Sequence, residues 1–75
     1  MGRLPVLKPK EVIKALKRGG LFIHHQTGSH VAMRHPKNKT IRVTIPLHNK
    51  DIKIGTLSSI LKQAGLTKEE FNKLL

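Results

Sequence analysis

Two short runs constrain the fold more than anything else in this chain. His30-Val31-Ala32-Met33-Arg34 and Ile41-Arg42-Val43-Thr44-Ile45 alternate polar and apolar residues, the period of a strand with one buried and one open face. Val31 and Met33 go to one side of the first run, and His30, Ala32 and Arg34 to the other. In the second run Ile41, Val43 and Ile45 face the core, while Arg42 and Thr44 face out. A third run, Leu21-Phe22-Ile23-His24-His25-Gln26, is rich in residues that suit a pleated surface. Only a sheet with something apolar packed on one side satisfies all three. At 75 residues the chain is a single domain with a small core.

The flanks supply the cover. Residues 1–7 read as an irregular lead-in. Pro9 suits a first helical turn and Glu11 lies where the helix dipole favours an anion. Val12, Ile13, Ala15 and Leu16 form the buried stripe of that helix, with Lys10, Lys14, Lys17 and Arg18 left in water. Gly19-Gly20 ends it, because glycine takes the left-handed conformation of a C-terminal cap. Thr27-Gly28 is expected to be the hairpin loop between the first two strands, and Pro36-Lys37-Asn38-Lys39 the next turn. Residues 46–54 read as a loop. A helix is then expected with Thr56 as its N-cap and Leu57, Ile60, Leu61 and Ala64 on one face. Gly65 closes it with Leu66 folding back, and Thr67-Lys68-Glu69-Glu70 is a capping box opening a last helix that carries Phe71, Leu74 and Leu75. The order is α-β-β-β-α with a small terminal helix, an α+β fold with a three-stranded antiparallel sheet and helices on one face.

Charge narrows the function. The net charge is +11, with 15 lysines and arginines against four acids. Those acids are Glu11, Asp51, Glu69 and Glu70, so no carboxylate falls between Val12 and Lys50. Such an imbalance predicts attraction to a polyanion, nucleic acid foremost. A membrane surface is disfavoured, because the cations do not collect on one amphipathic helix opposite bulky aromatics. No segment approaches the length of a membrane span, and residues 1–7 lack a signal peptide's apolar run, so a cytoplasmic protein is expected. With no cysteine, disulfides and cysteine-bound zinc are excluded.

All five histidines, His24, His25, His30, His35 and His48, fall inside the acid-free window. Adjacent His24 and His25 in a strand should point to opposite faces, with no carboxylate near them, so neither a metal site nor any cofactor is expected. If the hairpin loop is Thr27-Gly28, His25 lies directly opposite His30, and the two could share one proton-transfer site. A five-residue loop between the second and third strands would place Arg42 beside Arg34 on the same face, adjacent to His30. Histidine suits chemistry on a phosphate because it titrates near neutrality, and cations suit the charge that develops there.

Three pieces of the chain together resemble the HicA (YcfA-like) toxin family of small mRNA interferases. A glycine precedes the strand that opens at Leu21-Phe22. Gly28-Ser29-His30 matches the family's Gly-Ser-His motif. Val43-Thr44-Ile45-Pro46 is followed by Ile54-Gly55-Thr56-Leu57-Ser58-Ser59-Ile60-Leu61-Lys62-Gln63-Ala64-Gly65-Leu66. The resemblance implies a double-stranded-RNA-binding-domain-like fold, cleavage of mRNA, and a catalytic histidine at His30; with no metal site among the residues, the cleavage is expected to be metal-independent. It also implies a cognate HicB-type antitoxin. RNA-binding cations are expected among Arg34, Arg42, Lys37 and Lys39, with His25 and Ser29 as accessory candidates. If Leu21, Ile23 and Ala32 share the His30 face, they supply the apolar part of the antitoxin contact.

Two rivals compete. The same fold can bind duplex RNA by shape without chemistry. Ile60 through Thr67 also has the look of the first helix and turn of a helix-turn-helix. Glu69 and Glu70 would then head the recognition helix and repel the DNA backbone.

Overall fold

The computed structural model describes residues 4–75, so the first three residues of the lead-in lie outside the described residues. Six elements follow: α1 (Pro9–Arg18), β1 (Phe22–Gln26), β2 (His30–Arg34), β3 (Arg42–Pro46), α2 (Ile54–Ala64) and α3 (Lys68–Asn72). The sheet is antiparallel in the order β1-β2-β3. It is the α+β arrangement that the alternating runs predict.

Both long helices end the same way. The Leu21 amide donates to the Leu16 carbonyl and the Gly20 amide to the Lys17 carbonyl, each at 3.0 Å. The chain can make this double bond because Gly20 sits at φ +97°, which costs a residue without a Cβ little. The pattern repeats at α2, where Leu66 donates to Leu61, Gly65 donates to Lys62, and Gly65 has φ +72°. Gly19 has ordinary backbone geometry and is there for space, since a Cβ on it would come within 2.9 Å of Leu74 Cδ1.

The start of α2 differs from expectation. Thr56 does not cap it; the helix begins at Ile54 with Lys53 as N-cap and no side-chain cap bond. Packing overrides capping here. Ile52, just before the cap, and Leu57 in the first turn are both buried in the core, so the apolar pair fixes how the chain enters the helix. At α3 the capping box is as expected: the Glu70 amide donates to Thr67 Oγ1 at 3.1 Å and the Thr67 amide to Glu70 Oε1 at 2.9 Å. α3 is one turn long, and its Phe71 is fully buried. That leaves no free recognition helix for a helix-turn-helix.

One core results. Val31, Met33, Val43 and Ile45 project from the inner face of the sheet into a cluster with Val12, Leu16, Leu57, Ile60, Leu61 and Phe71. Ile41 lies just before β3 and is only partly buried. Gln63 of α2 reaches the free edge of β3, its Oε1 accepting from the Thr44 amide at 3.2 Å. No described helix covers the opposite face of the sheet.

Candidate active site

The turn between β1 and β2 is built on Thr27. Its hydroxyl oxygen accepts from the His30 amide at 3.0 Å and from the Ser29 amide at 3.3 Å. Its own amide donates to the His30 carbonyl at 2.9 Å. Thr27 therefore pairs with His30, and the two-residue loop is Gly28-Ser29, one position later than the expected Thr27-Gly28. A β-branched residue prefers the extended end of such a loop to its centre. Gly28 does not take a positive φ, and a Cβ on it would meet nothing within 4 Å.

The shifted loop changes His25's partner. His25 pairs with Ala32 rather than His30. Moving the loop by one residue moves the pairing by two, so His25 keeps the His30 face and becomes a diagonal neighbour, about 7–8 Å away between Cα atoms.

A second irregularity changes faces outright. The register slips between Ile23 and His25, leaving His24 as the extra residue of a β-bulge. Beyond the bulge Ile23 pairs with Met33 and Phe22 with Arg34. Ile23 therefore turns inward, Leu21 is buried in the core, and the exposed ring of Phe22 takes the open face. Of the apolar trio expected beside His30, only Ala32 is there. His24 and His25 also do not diverge as strict alternation predicts. His25 pairs on the open face, and His24 lines the same hollow as Phe22.

His30 stands at the head of the central strand on the open face. Its Nδ1 lies 2.9 Å from Ser29 Oγ, and Ser29 is braced through its carbonyl by the Leu47 amide at 2.7 Å. This contact orients the ring and leaves Nε2 directed away from it. At the other end of the face, about 13 Å from His30 rather than adjacent to it, Arg34 pairs with Arg42 across β2 and β3, as the alternation predicts. Neither arginine has an ion pair or a side-chain hydrogen bond among the described residues. Lys39 joins them around a shallow hollow of about 400 Å³ with Phe22, His24, His35 and Pro36. Lys37 is exposed in the same turn but does not line it.

His35 is committed elsewhere. Its Nδ1 accepts from the Lys37 and Asn38 amides, both at 3.1 Å, which ties the ring into the β2–β3 turn. No group of three or more metal-ligating side chains occurs among the described residues. No described helix is long and apolar enough to cross a membrane. Sequence reasoning missed Phe22 and His24 as members of this face. Their signal was a bulge, which no turn residue announces.

No curated protein matches the chain. The family model described as the HicA toxin of bacterial toxin-antitoxin matches residues 9–66. That span runs from the first residue of α1 to the residue that closes α2, and it contains the whole sheet with Gly28-Ser29-His30 at its hairpin. The chain belongs to the HicA toxin family of toxin-antitoxin systems.

Proposed function

We propose that this toxin is a metal-independent endoribonuclease that cleaves mRNA on the open face of its sheet, with His30 as general acid/base. One observation carries it: an exposed histidine held by a neighbouring serine at 2.9 Å, on a face with arginines and no carboxylate. For Nε2 to act as the base, Nδ1 must hold the proton and donate it to Ser29 Oγ. Nε2 then takes the proton of a ribose 2′-hydroxyl, the 2′-oxygen attacks phosphorus, and the bond to the 5′-oxygen breaks. The leaving oxygen takes a proton from imidazolium, from His25 or from water. The products are a 2′,3′-cyclic phosphate end and a 5′-hydroxyl end. Such proton transfer contributes about 10²–10⁴-fold, and Arg34, Arg42, Lys37 and Lys39 supply cations for binding and for the phosphorane.

A free ribonuclease needs a restraint, and the family supplies the kind of partner: a HicB-type antitoxin. To compete with RNA for a protein of net charge +11, it must present carboxylates to this face and cover His30. The apolar contact falls to Ala32 and Phe22, in place of Leu21 and Ile23.

The test is a cleavage assay with purified protein and end-group analysis of the products. Cleavage that survives EDTA and stops in His30→Ala is the expected result. RNA bound but never cut by the wild type would reduce the protein to an RNA-binding module. EDTA-sensitive cleavage would overturn the metal-free mechanism. A salt titration of RNA binding by His30→Ala should give a steep log–log slope.

A further inference from the structure

Four large apolar side chains stay exposed among the described residues: Val6, Phe22, Ile54 and Leu75. Only Phe22 stands on the open sheet face, 43 % exposed on an edge strand and paired beside Arg34. The chain has two phenylalanines; the other, Phe71, is fully buried. Folding leaves much of that ring in water beside two arginines paired across the strands, so whatever it gains from a neighbouring guanidinium, an exposed apolar surface remains. Like charges directly across a strand pair are destabilising, and no acid relieves them. What this hollow lacks is a flat apolar surface for the ring and an anion between the arginines. A nucleotide supplies both.

We infer that the hollow formed by Phe22, His24, Arg34, Lys39 and Arg42 is a subsite for one unpaired nucleotide of the RNA. The ring of Phe22 stacks on the base, and the arginines hold the adjoining phosphate. The inference rests on the ribonuclease reading above and adds a strandedness to it. A base inside a duplex has both faces stacked on neighbours and none to offer a phenyl ring. The strand must therefore be open at this end of the site. Arg34 lies four residues along β2 from His30, about 13 Å, so the strand must run on past the scissile phosphate to fill the hollow. At about 400 Å³, the hollow is within the range of small-ligand sites.

The experiment reads binding in a form that cannot cut. Fluorescence anisotropy of His30→Ala is measured with a single-stranded RNA oligonucleotide and with versions carrying one abasic nucleotide at each position in turn. One position should stand out, its abasic form binding roughly ten-fold or more weakly, the scale of a lost base–aromatic stack. Adding Phe22→Ala should weaken the intact oligonucleotide by a similar factor and erase that positional effect. Phe22→Trp should restore it, whereas Phe22→Leu, apolar but without a π-face, should not. A flat abasic profile in the Phe22 protein overturns the subsite, and that scan needs no Phe22 variant to fold. Unchanged RNA binding by Phe22→Ala also overturns it, and leaves the ring to the antitoxin contact alone. A flat profile beside an active wild type refutes the subsite alone. An inactive wild type with a peaked profile refutes the nuclease alone, and no binding to RNA refutes both.

Discussion

Met33 and Arg34 are neighbours in β2 and have opposite fates. Met33 is fully buried against the helices, whereas Arg34 stands on the open face across from another arginine. The same contrast holds along the sheet. Inward, Val31, Met33, Val43 and Ile45 are each at most 1 % exposed. Outward, His30, Ala32, Arg34, Arg42 and Thr44 stand on the face that no described helix covers. The inner face is optimised for folding. The outer face carries charge repulsion and an exposed ring that folding does not explain, as expected where a surface is kept for a ligand.

Two substitutions on β2 should separate the faces most sharply. His30→Ala should lose about 10²–10⁴-fold of cleavage with an unchanged thermal midpoint, since the ring is exposed and its hydrogen bond among the described residues is to an exposed serine. Met33→Ala should cost about 2–5 kcal/mol of stability, a large share of the roughly 5–15 kcal/mol a domain holds. Its folded fraction should cut RNA normally. Kinetics and thermal unfolding on the same two proteins decide it. A strongly destabilised His30→Ala would erase the division between the faces.

Ser29→Ala tests how the histidine is held. Loss of one hydrogen bond of about 0.5–1.5 kcal/mol should lower kcat by roughly 2- to 13-fold, with KM and the thermal midpoint little changed. A kcat equal to that of the wild type would leave the serine as a loop residue only.

The inner face was legible in the sequence, and most of the outer face was not. Alternation reads faces correctly wherever a strand is regular, so Val31, Met33, Val43 and Ile45 were assigned rightly, as was the pairing of Arg34 with Arg42. Helix ends set by a left-handed glycine at Gly20 and Gly65 were equally readable. Errors entered where one side chain competes with the period. Thr27 drew two amides to its hydroxyl and moved the loop to Gly28-Ser29, giving His25 a different partner. The bulge at His24 then turned Ile23 inward and Phe22 outward. A bulge is a tertiary compromise between a strand's core side and its neighbours, and a single sequence carries no local mark for it. His30 was singled out through a motif, Gly28-Ser29-His30, which keeps its place at the hairpin after the shift because it contains the loop residues Gly28-Ser29 and the first residue of β2.

Arg42→Gln should move the two faces in opposite directions. Removing one of the opposed guanidinium groups relieves like-charge repulsion, so stability should rise by a few tenths of a kcal/mol, up to about 1. RNA affinity should fall several-fold, and the salt slope should drop by about one phosphate contact. Chemical denaturation and a salt titration measure the pair. A loss in both would mean that Arg42 supports the fold and that its pairing with Arg34 is not strain held for a ligand.

The smallest effect lies at the far side of the core, where the inner face depends on α3 to bring in Phe71. The Glu70 carboxyl is held below its ordinary value of 4.5 by the Thr67 amide first, then the Thr67 hydroxyl, with Lys73 adding to the effect. A lowered folded-state value means the unfolded chain binds the proton more readily, so stability rises with pH through the carboxylate range. The contribution is fully present above the unfolded value and is lost as pH falls through the folded one. Glu70→Gln keeps an acceptor for the Thr67 amide but cannot titrate. Wild type should therefore be slightly more stable than Glu70→Gln near neutrality, and the gap should close on acidification below about pH 4.5. Thermal midpoints of the two proteins measured across that range test this. A gap that stays constant with pH would show that the box holds α3 by hydrogen bonding alone, without help from the charge. RNA binding should not distinguish the two proteins, because Glu70 lies on the helix side of the sheet and the cations proposed to meet RNA lie on the other.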